Sequence, residues 1–146
     1  MKAVKHSVMV TILIFCSTLV ALSAATVYAG DTLNPGEMLR RGEHLTSRNH
    51  QYRLIMQDDG NLVLYDAGKN PLWSSNTQGN RVERCIMQGD GNLVLYLYNG
   101  RPIWNSNTQG HPGSFLVLQD DRNLVIYEPR RHGKREPVWA SNTQRR

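Results

Sequence analysis

The sequence has little cysteine, and this excludes a fold stabilised by disulfides. Its 146 residues contain two cysteines, Cys16 and Cys85. Cys16 lies in an N-terminal segment that we expect to be removed, so the remaining chain cannot form an internal disulfide. A chain of this length must then hold its fold through an apolar core. Cys85 lies in the apolar run Cys85-Ile86-Met87, which favours a small buried side chain over a reactive or intermolecular thiol.

The sequence also lacks an Asn-x-Ser/Thr acceptor and a large excess of charge. Without that acceptor, N-glycosylation is not expected. The formal net charge of +5 falls to +3 when Lys2 and Lys5 are removed, which is too small to indicate nucleic-acid binding. The positive charge gathers instead in one short segment, for which we expect a solvated loop. This basic segment comprises Arg130, Arg131, His132, Lys134 and Arg135.

Long apolar runs are missing beyond the N-terminal segment. There, two lysines precede an uncharged run from about Val8 to Val20, and small residues lead to Val27-Tyr28-Ala29, a sequence that suits signal peptidase. We predict a cleaved signal peptide over residues 1–29 and one domain over residues 30–146, so that the protein is secreted and extracellular. A retained anchor is the alternative, because the uncharged stretch is just long enough to span a bilayer. Phe15, directly before Cys16, argues against a lipoprotein.

What the sequence does contain is an internal repeat. A nine-residue segment begins at Gln57, Gln88 and Gln119, with a period of 31 residues. A tryptophan and a shared Ser-Asn-Thr tail follow each copy, and the third tryptophan arrives four residues late. This delay predicts an enlarged surface loop over residues 128–137. We expect the tryptophans, which follow the repeat, to fill the centre of the fold rather than lie exposed for stacking on a ligand.

The repeat predicts an almost entirely β fold. Apolar and polar residues alternate over short runs, and no helical period is present beyond the signal peptide. Asp59-Gly60 and Asp90-Gly91 separate two such runs, which indicates tight hairpin turns. Arg122 replaces the glycine in the third copy, so this turn is either of another type or held by its neighbours at some cost. Because one hairpin cannot bury an apolar face alone, the three units are expected to share a core as a closed three-fold arrangement of small sheets.

Alternation along the strand separates the motif into two faces. Leu62 and Leu64 are expected to face the core, while Asn61, Val63 and Tyr65 face outward. The outward face then carries an amide, an aliphatic group and a phenol, and the other two copies repeat it.

The turn adds two further groups to the outward face. It brings Gln57 back beside Tyr65 and places Asp59 at the bend. A carboxylate, two amides and a phenol suit a neutral polyol with adjacent hydroxyls, each of which donates and accepts. The alternative is that these side chains only satisfy the turn, but all five recur unchanged in every copy. The candidate binding residues are Gln57, Asp59, Asn61, Val63, Tyr65, Gln88, Asp90, Asn92, Val94, Tyr96, Gln119, Asp121, Asn123, Val125 and Tyr127.

On this motif, QxDxNxVxY, the chain resembles the bulb-type mannose-binding lectins of monocot plants, and the similarity extends from about Asp31 to Thr143. The resemblance implies a β-prism of the second type, with three four-stranded antiparallel sheets around a pseudo-three-fold axis. It also implies recognition of α-D-mannose at the fifteen positions without a metal or cofactor, glycans or glycoproteins containing mannose as partners, and frequent homo-oligomers. Many plant members join two cysteines by a disulfide. Here Gly60 takes the place of the first cysteine and Cys85 matches the second.

Three other functions fit parts of the sequence. A glycosidase needs two carboxyl groups that face each other, whereas neighbours such as Asp58 and Asp59 point to opposite sides of a strand, and Gly89 replaces Asp58 in the second copy. We therefore expect no enzyme. The Asp-Asp-Gly-Asn sequence lacks the later glutamate of a calcium loop. The remaining alternative is an antibacterial or membrane-surface-active protein that uses the basic segment against anionic surfaces. Otherwise we expect contact with membranes only through surface glycans.

Overall fold

The computed structural model describes residues 30–145, so the predicted signal peptide lies outside the described residues. Regular structure in this range consists of β-strands and one 3-10 turn, Arg131–Gly133. No helix in it is long and apolar enough to cross a membrane. The strands are β1 Thr32–Leu33, β2 Met38–Arg40, β3 His44–Thr46, β4 Tyr52–Met56, β5 Leu62–Asp66, β6 Pro71–Ser74, β7 Val82–Met87, β8 Leu93–Leu97, β9 Pro102–Asn105, β10 Phe115–Leu118, β11 Leu124–Pro129 and β12 Arg135–Ala140.

The strands form three four-stranded antiparallel sheets, as predicted. Their strand orders are β3-β4-β5-β6, β2-β7-β8-β9 and β1-β10-β11-β12. Each repeat supplies three consecutive strands of one sheet. The short segment before the repeats supplies the fourth strand of every sheet, in reverse order, so that β1 joins the sheet of the third repeat. The N-terminal segment therefore ties all three repeats together.

The inner faces of the sheets share one core. Leu62 and Leu64 are fully buried, and the equivalent residues of the other repeats are buried with them. Leucines make up most of this core, because alternate residues of each motif face inward and nearly all of them are leucines. Cys85 is also fully buried, and this burial raises the pKa of its thiol well above the usual range. The prediction of a buried cysteine is confirmed.

The three tryptophans contact one another and pack, partly buried, against the shared core, which favours the predicted core position over exposed stacking on a ligand. Trp73 lies 5.7 Å from Trp104 and 5.6 Å from Trp139, and the remaining pair of ring centroids is 6.1 Å apart. All three contacts are edge-to-face, the geometry that aromatic rings prefer. One indole from each sheet therefore packs around the pseudo-three-fold axis.

The hairpin turns are wider than predicted. Strand β4 ends at Met56 and β5 begins at Leu62, which leaves a five-residue connection. The N–H of Gly60 donates to the carbonyl of Gln57 at 3.1 Å, and Gly60 adopts a φ of 89°. Loops of four or five residues are commonly built around such a turn. A Cβ on Gly60 would lie 2.1 Å from the carbonyl oxygen of Asn80, so both backbone angle and space require glycine.

The third copy keeps this turn despite its arginine. Arg122 adopts a φ of 70°, and its N–H donates to the carbonyl of Gln119 at 3.1 Å. Its Nε also donates to the carbonyl of Thr143 at 2.6 Å. Of the two alternatives left by the sequence, the second is confirmed: the turn type is unchanged, and neighbouring backbone holds the arginine. The position that matches Asn80 is Arg146, which lies outside the described residues.

The predicted surface loop of the third repeat is an extended hairpin. Strands β11 and β12 stay paired as far as Pro129 and Arg135. At its tip, Arg130 bridges two carboxylates, since its Nη2 lies 2.8 Å from Glu128 and 2.7 Å from Glu136. The basic segment is solvent-exposed as predicted, but two of its charges are engaged within the hairpin, because Arg135 also lies over the ring of Tyr127.

Candidate functional site

The turn folds the first residue of each motif back onto the last, as predicted. Gln57 Nε2 donates to the hydroxyl oxygen of Tyr65 at 2.8 Å. The same bond measures 2.9 Å in the second copy and 2.6 Å in the third. Because the phenol oxygen is the acceptor, its own hydrogen remains available for another partner. The amide oxygen of Gln57 points to no hydrogen-bond donor among residues 30–145.

The motif aspartate has one oxygen in the turn and one outside it. Asp59 Oδ1 accepts the backbone N–H of Asn61 at 2.9 Å, and the equivalent bonds of the other copies have the same length. The side chain is exposed. Its second oxygen, Oδ2, has no hydrogen-bond partner within the described part of the chain. The aspartate therefore has a structural role and a free acceptor at once.

The motif asparagine is oriented by its carbonyl oxygen. Asn61 Oδ1 accepts the hydroxyl of Ser75 at 3.0 Å and the backbone N–H of Thr77 at 3.2 Å. With the oxygen fixed toward the fold, the amide nitrogen Nδ2 points the other way as a donor. In the second copy this nitrogen lies 3.3 Å from Asn105 Oδ1, a long bond that a ligand can replace.

The tail after each tryptophan supports the motif, a role that the sequence did not reveal. Ser75 Oγ accepts the backbone N–H of Leu62 at 3.0 Å, and Thr77 Oγ1 donates to the carbonyl of Gly60 at 2.8 Å. These hydroxyls join the end of one hairpin to the turn at its start. The recurrence of the tail in every repeat was the available signal. The supporting residues are Ser75, Thr77, Ser106, Thr108, Ser141 and Thr143.

The motif valines are less accessible than we predicted. Val63 alternates with the core leucines, yet only 3% of it is exposed, and the valines of the other copies have the same value. Strand β5 is an inner strand, so Val63 has a neighbour on each side, Ile55 in β4 and Ser74 in β6. The valine therefore forms the floor of the outward face and offers a ligand little surface.

The remaining atoms of each motif make a balanced polar set. The aspartate and glutamine each present an oxygen that accepts, while the asparagine nitrogen and the tyrosine hydroxyl donate. Sugar hydroxyls need a donor and an acceptor at each position. In each copy the structure joins the motif glutamine to the tyrosine and the aspartate to the asparagine, with the valine beneath them. In the third copy the asparagine, Asn123, is itself buried.

No family model matches the chain. Among curated proteins, the mannose-specific lectin of Narcissus pseudonarcissus is 49% identical over 53 residues, which cover 36% of this chain and 40% of that protein. The mannose-specific lectin of Galanthus nivalis is 41% identical over 77 residues, covering 51% of this chain and 43% of the relative. The chain thus aligns with less than half the length of these relatives.

Solved structures give more complete matches. A monomeric mannose-binding lectin from Gastrodia elata is 40% identical, with a TM-score of 0.68, covering 80% of this chain and 100% of that one. The snowdrop agglutinin, solved with methyl-α-D-mannoside, is 44% identical with a TM-score of 0.61, covering 80% of this chain and 99% of that one. Identity and coverage at this level show that the chain belongs to the bulb-type mannose-binding lectins, non-enzymatic sugar-binding proteins with a β-prism of the second type.

Proposed function

We propose that this protein is a secreted lectin that binds α-D-mannose, in glycans that contain it, at three QxDxNxVxY sites. The observation that carries the proposal is the polar set on each motif. Each of the two acceptors and two donors makes one hydrogen bond within the fold and keeps a second polar atom or hydrogen available to a ligand. The mannose specificity named for its relatives supports the choice of sugar.

Each site is expected to be weak alone. The patch is shallow, and its valine floor offers little apolar area, so a millimolar dissociation constant, equivalent to about −4 kcal/mol, is reasonable for one sugar unit. Three sites per chain, multiplied in any homo-oligomer, let one molecule hold several branches of a glycan. Effective concentration then raises the overall affinity by about 10²–10⁴. Agglutination or capture of mannose-coated surfaces is the expected activity.

The sharpest test replaces one acceptor without disturbing the turn. Asp59→Asn keeps an Oδ1 that accepts the N–H of Asn61 but replaces the free oxygen by an amide. We expect the first site to lose about 1.5–3 kcal/mol, the cost of losing a charged hydrogen bond. Calorimetric titration with methyl-α-D-mannoside should then show two sites per chain instead of three. The equivalent changes at Asp90 and Asp121 should each remove one more site.

The matched control is Asp58→Asn. Asp58 is the exposed neighbour of Asp59 and occupies a variable position of the motif, where the second copy has Gly89, so the titration should match that of the unmodified protein. Three sites retained after Asp59→Asn, with the fold intact, would contradict the assignment of the site.

Export is tested separately. If residues 1–29 are a signal peptide, expression of the full chain in a secreting host should place the protein in the medium with Gly30 as its first residue. Protein that stays in the membrane fraction with Met1 or Lys2 at its terminus would favour the retained anchor.

A further inference from the structure

The second sheet carries a charged surface that the sugar motifs do not use. We propose that it binds a linear anionic polysaccharide, a glycan chain with sulfate groups, independently of mannose. The surface, which we call the arginine patch, lies at the end of the sheet where β2 and β8 finish and β7 and β9 start. It comprises Arg41, Arg81, Tyr98 and Arg101. The proposal goes beyond the mannose sites and includes none of their residues.

Backbone pairing brings the four residues of the patch together. Arg41 directly follows β2, and its Nε donates to the carbonyl of Val82 in β7 at 2.6 Å. The N–H of Tyr98 donates to the carbonyl of Arg81 at 3.2 Å. The carbonyl of Arg101 accepts the N–H of the last residue of β8 at 2.9 Å. The four residues therefore follow one another across the end of the sheet.

An exposed aromatic ring lies within the patch. Tyr98 is 57% exposed and is the one large apolar residue of residues 30–145 that is exposed. The guanidinium of Arg41 lies 5.5 Å from the centre of its ring, and that of Arg81 lies 5.9 Å away. Both distances are within the roughly 6 Å over which an aromatic face attracts a cation. The tyrosine thus holds two guanidiniums at the surface.

No ion pair neutralises the patch. The salt bridges formed within residues 30–145 involve none of its three arginines. More positive charge lies beside it, where Arg40 pairs with Arg84 across β2 and β7. Like charges directly opposite destabilise a sheet. Of the two carboxylates nearby, Glu83 pairs with Arg84, and the buried Glu43 accepts the backbone N–H of Arg40 at 2.7 Å. An anionic partner would complement the remaining charge.

The patch is specific to the second repeat. In the first repeat, Ser47 follows the outer strand, and Ala67 and Asn70 take the places of the tyrosine and of the last arginine. None of these three is charged or aromatic. In the third repeat Pro129 takes the place of the tyrosine. The repeat that defines the sugar motif therefore does not account for the patch.

The chemistry of the patch suits a sulfated polysaccharide. Each guanidinium presents a planar fork of donors that matches the oxygens of an anionic group, and the tyrosine ring offers an apolar face to the carbon side of a sugar. Neighbouring strands lie about 4.8 Å apart, so the patch extends over roughly 14 Å. That length favours an extended chain over a single small anion.

One aromatic ring distinguishes this partner from two other polyanions. A membrane-bound surface buries a larger apolar face among the lipids. Single-stranded nucleic acid stacks successive bases on several rings. A polysaccharide needs neither, because its charged groups supply most of the attraction.

The test measures heparin binding by calorimetry at physiological salt. Arg81→Gln with Arg101→Gln removes two exposed charges, and neither side chain donates a hydrogen bond within residues 30–145. We expect this double variant to bind heparin about tenfold more weakly, because it loses charged hydrogen bonds to sulfate. Titration with methyl-α-D-mannoside should give the same affinity as the unmodified protein, which also shows that the variant is folded.

The matched control is Arg131→Gln with Lys134→Gln. It makes the same change in net charge at the exposed hairpin tip of another sheet. Since salt screens exposed charges that are not in contact, heparin affinity should change less than about twofold. Equal losses in the two double variants would mean that heparin responds to net charge alone and would overturn the patch.

Other outcomes test the class of partner. Equal binding of desulfated heparin would contradict recognition of sulfate groups. Release of heparin by saturating methyl-α-D-mannoside would place the polysaccharide at the motifs instead of the patch. Tighter binding of phosphatidylserine vesicles or single-stranded DNA than of heparin, lost in Arg81→Gln with Arg101→Gln, would assign the patch to a membrane or a nucleic acid. Heparin binding without any mannoside binding would overturn the proposed function and leave this inference standing.

Discussion

The inner and outer faces of β5 differ in what each residue contributes. On the inner face, Leu62 and Leu64 are fully buried in the shared core. On the outer face, Tyr65 keeps a free donor beside a bond that orients it. The inner face of the strand thus serves the core, while the outer face carries Tyr65 of the proposed sugar site. Asn61, directly before the strand, has both roles, because its oxygen accepts bonds from the fold and its nitrogen belongs to the proposed site.

The largest expected effect is on the inner face. Leu64→Ala should lower the free energy of unfolding by about 2–5 kcal/mol, because it removes buried methyl groups and leaves a cavity in a shared core. Urea denaturation followed by tryptophan fluorescence would measure this change. Asp59→Asn, on the outer side, should shift the same curve by less than about 0.5 kcal/mol. Similar losses for both variants would mean that the two faces do not act separately.

A smaller effect is expected where the faces meet. Ser75→Ala leaves the buried N–H of Leu62 without its acceptor and removes a donor to Asn61, so we expect a loss of about 1–3 kcal/mol in stability. The first sugar site should weaken as well, since the amide of Asn61 loses its orientation. Unfolding curves and calorimetry would report the two losses.

The neighbouring serine provides the control. Ser74 Oγ donates to the exposed Asn76, so Ser74→Ala should change neither stability nor sugar affinity appreciably. If Ser75→Ala lowers stability but leaves the first site at full affinity, the serine does not orient Asn61.

The fold was predictable where the sequence repeats. The 31-residue period and the alternation around Leu62 and Leu64 were sufficient to predict three β units around a common core. The fourth strand of each sheet was not predictable. Strands β1, β2 and β3 have two or three residues each, too few for alternation to be recognised, and only pairing with a repeat defines them.

The residues of the candidate site could be predicted from the sequence, whereas their burial and the residues that support them could not. Folding of the turn that joins Gln57 to Tyr65 followed from the Asp-Gly pair. The burial of Val63 did not, because it depends on having strands on both sides. Ser75 and Thr77, which support Asn61, lie 14 and 16 positions after it in the sequence. A local sequence pattern does not predict contacts over that separation.

The smallest expected effect on stability is at the turn between β10 and β11 in the third repeat. Arg122 holds a left-handed φ of 70°, a conformation that costs a residue with a side chain roughly 1–2 kcal/mol. Its Nε bond to Thr143 offsets part of this cost. Arg122→Ala keeps the strain and loses the bond, whereas Arg122→Gly loses both. We therefore expect the glycine variant to be more stable than the alanine variant by about 1 kcal/mol in urea denaturation. Equal stabilities would show that the left-handed turn carries no strain in this repeat. The first two repeats would then need glycine only because the carbonyls of Asn80 and His111 lie so close to it.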